Sequence, residues 1–128
     1  MKEQNRMKAS LHEYIEAFNA GDAKRVISLF SPEATIEDPV GTPIKRGSEE
    51  IAAFYGHATT LGARLELLAP PRGSHSNAAT ITFKVHVQGP TGPAHIDVTD
   101  VMEFNPEGKI TSMRAYWGED DYHTASAA

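Results

Sequence analysis

The sequence contains no cysteine, so disulfides, thiolate nucleophiles and cysteine-ligated zinc are all excluded. It has no apolar run near the roughly 18–20 residues that a membrane-spanning helix requires. Its first residues, Met1-Lys2-Glu3-Gln4-Asn5-Arg6, are polar and lead into an amphipathic segment, unlike the apolar core of a signal peptide. Positive charge is also scarce: 12 Lys and Arg stand against 17 Asp and Glu, a net charge of −5. Only Lys24-Arg25 and Lys45-Arg46 are adjacent, and neither pair makes the basic stripe that a phosphate backbone demands. These absences give a first expectation: a cytoplasmic chain that binds neither nucleic acid nor membrane.

Motifs for metals and nucleotides are missing too. The six histidines form no HxH or HExxH pattern; His12, His57, His75 and His123 fall in separate segments. His86 and His95 flank a loop, each on the polar face of its strand, so no metal site is expected. The glycines of Gly89-Pro90-Thr91-Gly92-Pro93 are not followed by the GK[ST] of a phosphate-binding loop and read as a hairpin loop.

What is present is a chain of 128 residues, 40% apolar and 23% charged, the size and balance of one folded domain spanning residues 1–128. Met7, Leu11, Ile15 and Phe18, with Tyr14 between them, recur at spacings of three and four and predict a helix over residues 3–20. Gly21 stops it, and Asp22 caps a second helix running to about Phe30. Ala34 to Asp38 reads as a short strand ended by Pro39-Val40-Gly41. A third helix opens at Gly47-Ser48, with Ser48 as its cap and Ile51, Phe54 and Tyr55 on one face.

From Leu61 the period changes to two. Strands are expected over Leu61–Ala69, Ile81–Val87, Ala94–Phe104 and Lys109–Trp117, with breaks at Pro70-Pro71 and Asn105-Pro106-Glu107-Gly108. Beyond Glu119 the tail is small and polar, and is expected to fray. Three helices followed by an antiparallel meander is an α+β pattern, in which helices cover one face of a curved sheet around an apolar pocket.

Three polar residues interrupt the apolar faces. In the third strand Ala94, Ile96, Val98, Asp100, Met102 and Phe104 share parity, so period two points Asp100, with Val98 and Met102, into the pocket. His95, Asp97 and Thr99 point the other way. A buried carboxylate either takes up a proton or finds a partner such as a buried arginine, unless a β-bulge shifts the register. Asp38 ends the inward face of Ala34 and Ile36, where it is either a turn former before proline or a group aimed at the pocket. Tyr14 on the helical stripe, with Tyr55 available on the third helix, is either plain core or functional. Two inward carboxylates and a buried phenol on one pocket suggest an acid–base site.

The segments Glu13-Tyr14-Ile15, Asn19-Ala20-Gly21-Asp22, Ala34-Thr35-Ile36-Glu37-Asp38-Pro39-Val40-Gly41 and Ile51-Ala52-Ala53-Phe54-Tyr55 resemble bacterial ketosteroid isomerase. So do Asp97-Val98-Thr99-Asp100-Val101-Met102 and Met113-Arg114-Ala115-Tyr116-Trp117-Gly118-Glu119. The resemblance spans nearly the whole chain; its specific parts are the EDPxG segment and the late-strand Asp, since NAGD is shared across the nuclear transport factor 2-like superfamily. It implies a conical α+β fold, with three N-terminal helices on a mainly antiparallel sheet, and a homodimer joined through the sheets. It implies a steroid substrate, no cofactor, Asp38 as general base, Tyr14 as phenol donor to the 3-oxo oxygen and Asp100 as a second, neutral donor. Tyr55 would hydrogen-bond to the phenol, and Phe54 and Trp117 would line the pocket. Phe30 departs from the pattern, because some members carry a third tyrosine there. A polyketide cyclase, a scytalone-type dehydratase or a non-catalytic binding module of the same fold are the alternatives.

Overall fold

The structure, a computed structural model, describes residues 2–124, with side chains from residue 4 onward. Helix α1 (Lys2–Asn19) buries Met7, Leu11, Tyr14, Ile15 and Phe18, the stripe that its spacing predicts. It ends because Gly21 takes the left-handed conformation at φ 69°, and the Gly21 and Asp22 amides turn back to the carbonyls of Phe18 and Ala17. Asp22 then caps α2 (Ala23–Ile27), its Oδ1 accepting from the Arg25 amide at 3.1 Å.

That helix is shorter than expected. Strand β1 begins already at Phe30 and runs to Glu37, drawn out of the helix by parallel pairing with β6 (Ile110–Tyr116). The pairing breaks between Phe30 and Thr35, where Pro32 cannot donate to the ladder. The two-residue β2 (Lys45–Arg46) pairs with β1 and leads into α3 (Gly47–Ala58). Ser48 is not its cap. Arg46 holds that position, its amide donating to Glu50 Oε1 at 2.9 Å, and the Ser48 hydroxyl goes to the Pro32 carbonyl.

The rest of the sheet comprises β3 (Arg64–Leu67), β4 (Ala78–Gly89) and β5 (Gly92–Phe104), in the order β2-β1-β6-β5-β4-β3. All neighbours are antiparallel except β1 and β6, so the sheet is mixed, and it does not close. β4 and β5 run on to Gly89 and Gly92, which pair across Pro90-Thr91, so the hairpin loop has two residues rather than five. The expected fraying beyond Glu119 is corrected as far as Thr124; the rest of that tail, residues 125–128, lies outside the described residues. A 3-10 turn at Glu119–Asp121 leads into β7 (Tyr122–Thr124), which pairs with Ala94 to Ile96 along the flank of β5 that β6 leaves at Thr99.

Packing follows from parity. α1 lies over β3 and β4, and α3 over β1, so the helices cover one face of the sheet. Asn19, at the end of α1, clamps β3 in place: its Nδ2 donates to the Leu65 carbonyl at 2.9 Å and its Oδ1 accepts from the Leu65 amide at 2.8 Å. No helix among the described residues is long and apolar enough to cross a membrane.

Candidate active site

Between the helices and the sheet lies a cavity of about 160 Å³, with Tyr14, Asp38, Tyr55, Asp100 and Trp117 as its polar lining. Phe18, Phe54, Leu65, Phe83 and Val98 supply apolar walls. A larger recess of about 450 Å³ opens beside the first turns of α1, but among the described residues its one charged lining group is Arg6 and no acid lines it. The smaller cavity is therefore the chemical site, because convergent titratable groups matter more here than volume.

Each of its polar groups is delivered by a different element. Tyr14 comes from the buried stripe of α1, and its hydroxyl lies 2.8 Å from that of Tyr55 on α3. The two rings meet edge-on at 5.8 Å, while Phe54 and Phe30 pack against Tyr55 at 4.9 and 5.5 Å. Asp100 sits on the inner face of β5, opposite Ile81 and Ala115 on the flanking strands, and is only 2% exposed. Asp38 directly follows β1. Because β1 and β6 are parallel, their ends coincide, and Trp117, just past β6, donates its indole N–H to Asp38 Oδ1 at 3.0 Å. The Val40 amide donates to the Ala115 carbonyl at 2.8 Å and holds the turn against β6.

The electrostatics separate the two carboxyls. Burial raises the Asp100 pKa well above the carboxylate range, the Asp38 charge adds to this, and no cation or donated hydrogen bond offsets it. Burial also raises Asp38, but there the Trp117 hydrogen bond and the Lys45 ammonium both pull downward. When two acids share a site, the proton goes to the one with less support for its charge. Of the two, Asp100 is the one pushed further toward the protonated form. Burial likewise holds the Tyr14 and Tyr55 phenols well above their ordinary pKa, and for Tyr14 the Tyr55 hydrogen bond works against it.

Of the residues singled out in the sequence, Tyr14, Asp38, Phe54, Tyr55, Asp100 and Trp117 line this one cavity. Phe30 stands behind Tyr55, and Met102 is fully buried; neither lines the cavity. Parity shows that Met102 faces inward, but it does not distinguish cavity wall from solid core. Lys45 was missed. Its ammonium lies 5.1 Å from the centre of the Phe54 ring and within electrostatic reach of Asp38. No pattern marks a lone lysine on a two-residue strand. The cavity lining contains two carboxyls and two phenols but no histidine.

Comparison with known proteins follows the same lines. The profile of the SnoaL-like domain matches residues 11–113. Steroid Delta-isomerase of Nocardioides simplex is 36% identical over 115 residues, covering 90% of this chain and 92% of that protein. Epoxide hydrolase LasB of Streptomyces lasalocidi is 32% identical over 114 residues, 85% of this chain but only 40% of that longer protein. The solved structure of SalBIII superposes with a TM-score of 0.84 at 26% identity, over 97% of this chain and 99% of the other. SalBIII is described as an epoxide hydrolase/cyclase-like enzyme with a role in pyran ring formation in the polyether salinomycin. With most of its length matched by that profile and its whole fold by such a neighbour, this chain belongs to the SnoaL-like family on the nuclear transport factor 2-like fold, the family that includes steroid Delta-isomerase.

Proposed function

We propose that the protein isomerises 3-oxo-Δ5 steroids to their Δ4 isomers, moving one proton from C4 to C6 through a dienolate. One observation carries the reading: two carboxyls, Asp38 and Asp100, and the Tyr14 phenol converge on one apolar cavity, with the Trp117 indole donating to Asp38. The reading takes Asp38 as the ionised base and the other two, which burial pushes well up, as neutral donors. The C4 proton lies between a carbonyl and an alkene and is still a weak acid in water. Its removal collects negative charge on the 3-oxygen. Tyr14 and Asp100 donate to that oxygen, and each such donor is worth about 3–4 kcal/mol in the transition state. Tyr55 supports the phenol from behind as charge forms.

Asp38 takes the proton and returns it to C6 on the same face of the steroid, serving first as base and then as acid. Trp117 fixes the orientation of that carboxylate by occupying Oδ1, leaving Oδ2 for the proton. A single proton moves and no electron is transferred, so the chemistry calls for no cofactor. Phe54, Phe83 and Val98 provide the apolar walls a steroid nucleus needs. The same reading makes the chain a homodimer joined through the outer face of the sheet, where Tyr116 and Tyr122 are exposed. Turnover of androst-5-ene-3,17-dione, followed by ultraviolet absorbance of the conjugated product, tests it. Absence of turnover above the rate of buffer sinks it.

A second reading has support in the two epoxide-handling neighbours. Epoxide opening by a hydroxyl also needs one base and one acid: Asp38 would deprotonate the hydroxyl while Asp100 or Tyr14 protonates the departing epoxide oxygen. A hydroxy-epoxide consumed by a chain that leaves the steroid untouched would favour this reading.

A further inference from the structure

The outer face of the sheet carries a second cluster of titratable side chains, one the isomerase reading does not use. His95 and Asp97 stand two residues apart on β5 and therefore point to the same side. The pairing of β7 with β5 sets His123 directly opposite His95. The carboxylate of Asp97 lies between the two imidazoles, with Oδ1 3.7 Å from His95 Nε2 and Oδ2 3.2 Å from His123 Nε2. One ligand atom from each of the three residues can be chosen so that all lie within 4.8 Å of one another.

We propose that His95, Asp97 and His123 form a binding site for a divalent first-row transition ion, zinc in particular, that fastens β7 to β5. Two imidazoles and one carboxylate are a donor set suited to such an ion, with water completing the coordination. Metal–ligand bonds of about 2.0–2.2 Å place the ligands of a tetrahedral ion about 3.3 Å apart. The separations at Asp97, 3.7 Å from Oδ1 and 3.2 Å from Oδ2, lie near that value, and the one-atom-per-residue set within 4.8 Å would contract onto the ion by side-chain rotation. A second, independent observation points the same way. Asp97 Oδ1 is buried and has no hydrogen-bond partner among the described residues. Its nearest imidazole nitrogen, His95 Nε2 at 3.7 Å, is beyond hydrogen-bond reach. A carboxylate oxygen shut off from water with no hydrogen bond is costly, a cost that a cation beside it would remove. His86, whose ring lies 6.3 Å from that of His95, is not part of the set, because its Nε2 is 2.7 Å from Glu66 Oε1.

The untagged full-length chain, stripped with EDTA and dialysed, is titrated calorimetrically with zinc chloride. Cobalt(II) provides a parallel optical signal through its visible bands. The expected result is one ion per chain with a dissociation constant on the order of micromolar or tighter. His123→Gln and Asp97→Asn should each weaken binding by at least about tenfold, since even supporting contacts at metal sites are worth that much. Zinc should raise the melting temperature of the parent but not of these variants. His57→Gln, an exposed histidine elsewhere, should bind as the parent does. Circular dichroism confirms that each variant is folded. Binding weaker than about 1 mM, or affinity unchanged in both cluster variants, overturns the proposal. The cluster lies on the face of β5 opposite the cavity, so neither outcome bears on the proton transfer proposed for the cavity. Because that reading assigns the outer face to the dimer, light scattering with and without zinc accompanies the titration.

Discussion

Asp97 and Asp100 stand three residues apart on β5, yet they meet opposite surroundings. Asp100 faces the cavity and is 2% exposed, with no cation or donated hydrogen bond to support a charge. Asp97 faces outward with a side chain 41% exposed and two imidazoles beside it. One strand thus carries a carboxylic acid on one side and a paired carboxylate on the other. The difference comes from parity alone, since an odd separation along a strand reverses the face. What the side chain does is decided by solvent access and neighbours, not by residue type.

The largest effect that would break this contrast belongs to the base itself. Asp38→Asn should lower kcat by roughly 10²–10⁴-fold while steroid affinity stays the same or improves, because amide and carboxylate are nearly isosteric. Steady-state kinetics together with binding of a phenolic steroid such as equilenin measures both. A loss of less than about tenfold would place the base elsewhere.

Next come the donors. Tyr14→Phe and Asp100→Leu should each reduce kcat by about 10²–10³-fold with little change in KM, the signature of a contact made mainly in the transition state. A rise in KM alone for either variant would make that residue a binding contact and dissolve the shared oxyanion site.

Stability sharpens the contrast from another side. The folded-state pKa of Asp100 is raised above its unfolded value, so its contribution to stability is fully present below the unfolded pKa of about 3.9 and is lost as pH rises through the folded value. Each pH unit between the two values is about 1.4 kcal/mol. Asp100→Asn, which cannot ionise, should therefore melt higher than the parent at pH 8, and the gap should close as pH falls toward 4. Thermal melts across that range test this; a parallel pair of curves would mean that Asp100 does not titrate abnormally.

Lys45→Met should act more gently. The ammonium lowers the Asp38 pKa against the burial that raises it, so its loss should move the acid limb of the kcat/KM profile upward by less than about one pH unit. A downward move would show that Lys45 does not support the Asp38 charge. The smallest effect belongs to the outer face: Asp97→Ala should leave isomerase kcat within about threefold. If it proved more damaging than Asp100→Ala in a folded protein, the two faces of β5 would have been assigned the wrong way round.

Much of this arrangement was legible in the residues. Tyr14 lies on an unbroken helical stripe, and Asp100 interrupts a long strand whose period of two points it inward, the register that the pairing with β4 bears out. Ala34 and Ile36 set the inward parity that Asp38 continues. What was hidden depended on contacts between distant segments. Nothing near β1 or β6 announces that they run parallel, yet that pairing brings the Trp117 indole to Asp38; the resemblance implies Trp117 as an apolar wall and says nothing of its hydrogen bond. β7 is three residues of no marked pattern, formed only because β5 outruns β6 and leaves a flank to pair with. His123 therefore looks solitary in the sequence and meets His95 only in the fold.

The clamp at the end of α1 has a consequence beyond holding a strand. β3 is the last strand on its side of the sheet, and the Leu65 N–H and C=O point away from β4 into the position a further strand would occupy. Unpaired groups on such an edge act as a template for another chain. The Asn19 amide offers one donor and one acceptor, the same complement as a peptide unit, and stands in for the missing neighbour. A single side chain thereby blunts the edge against self-association, and the same side chain seats Leu65 beside the cavity.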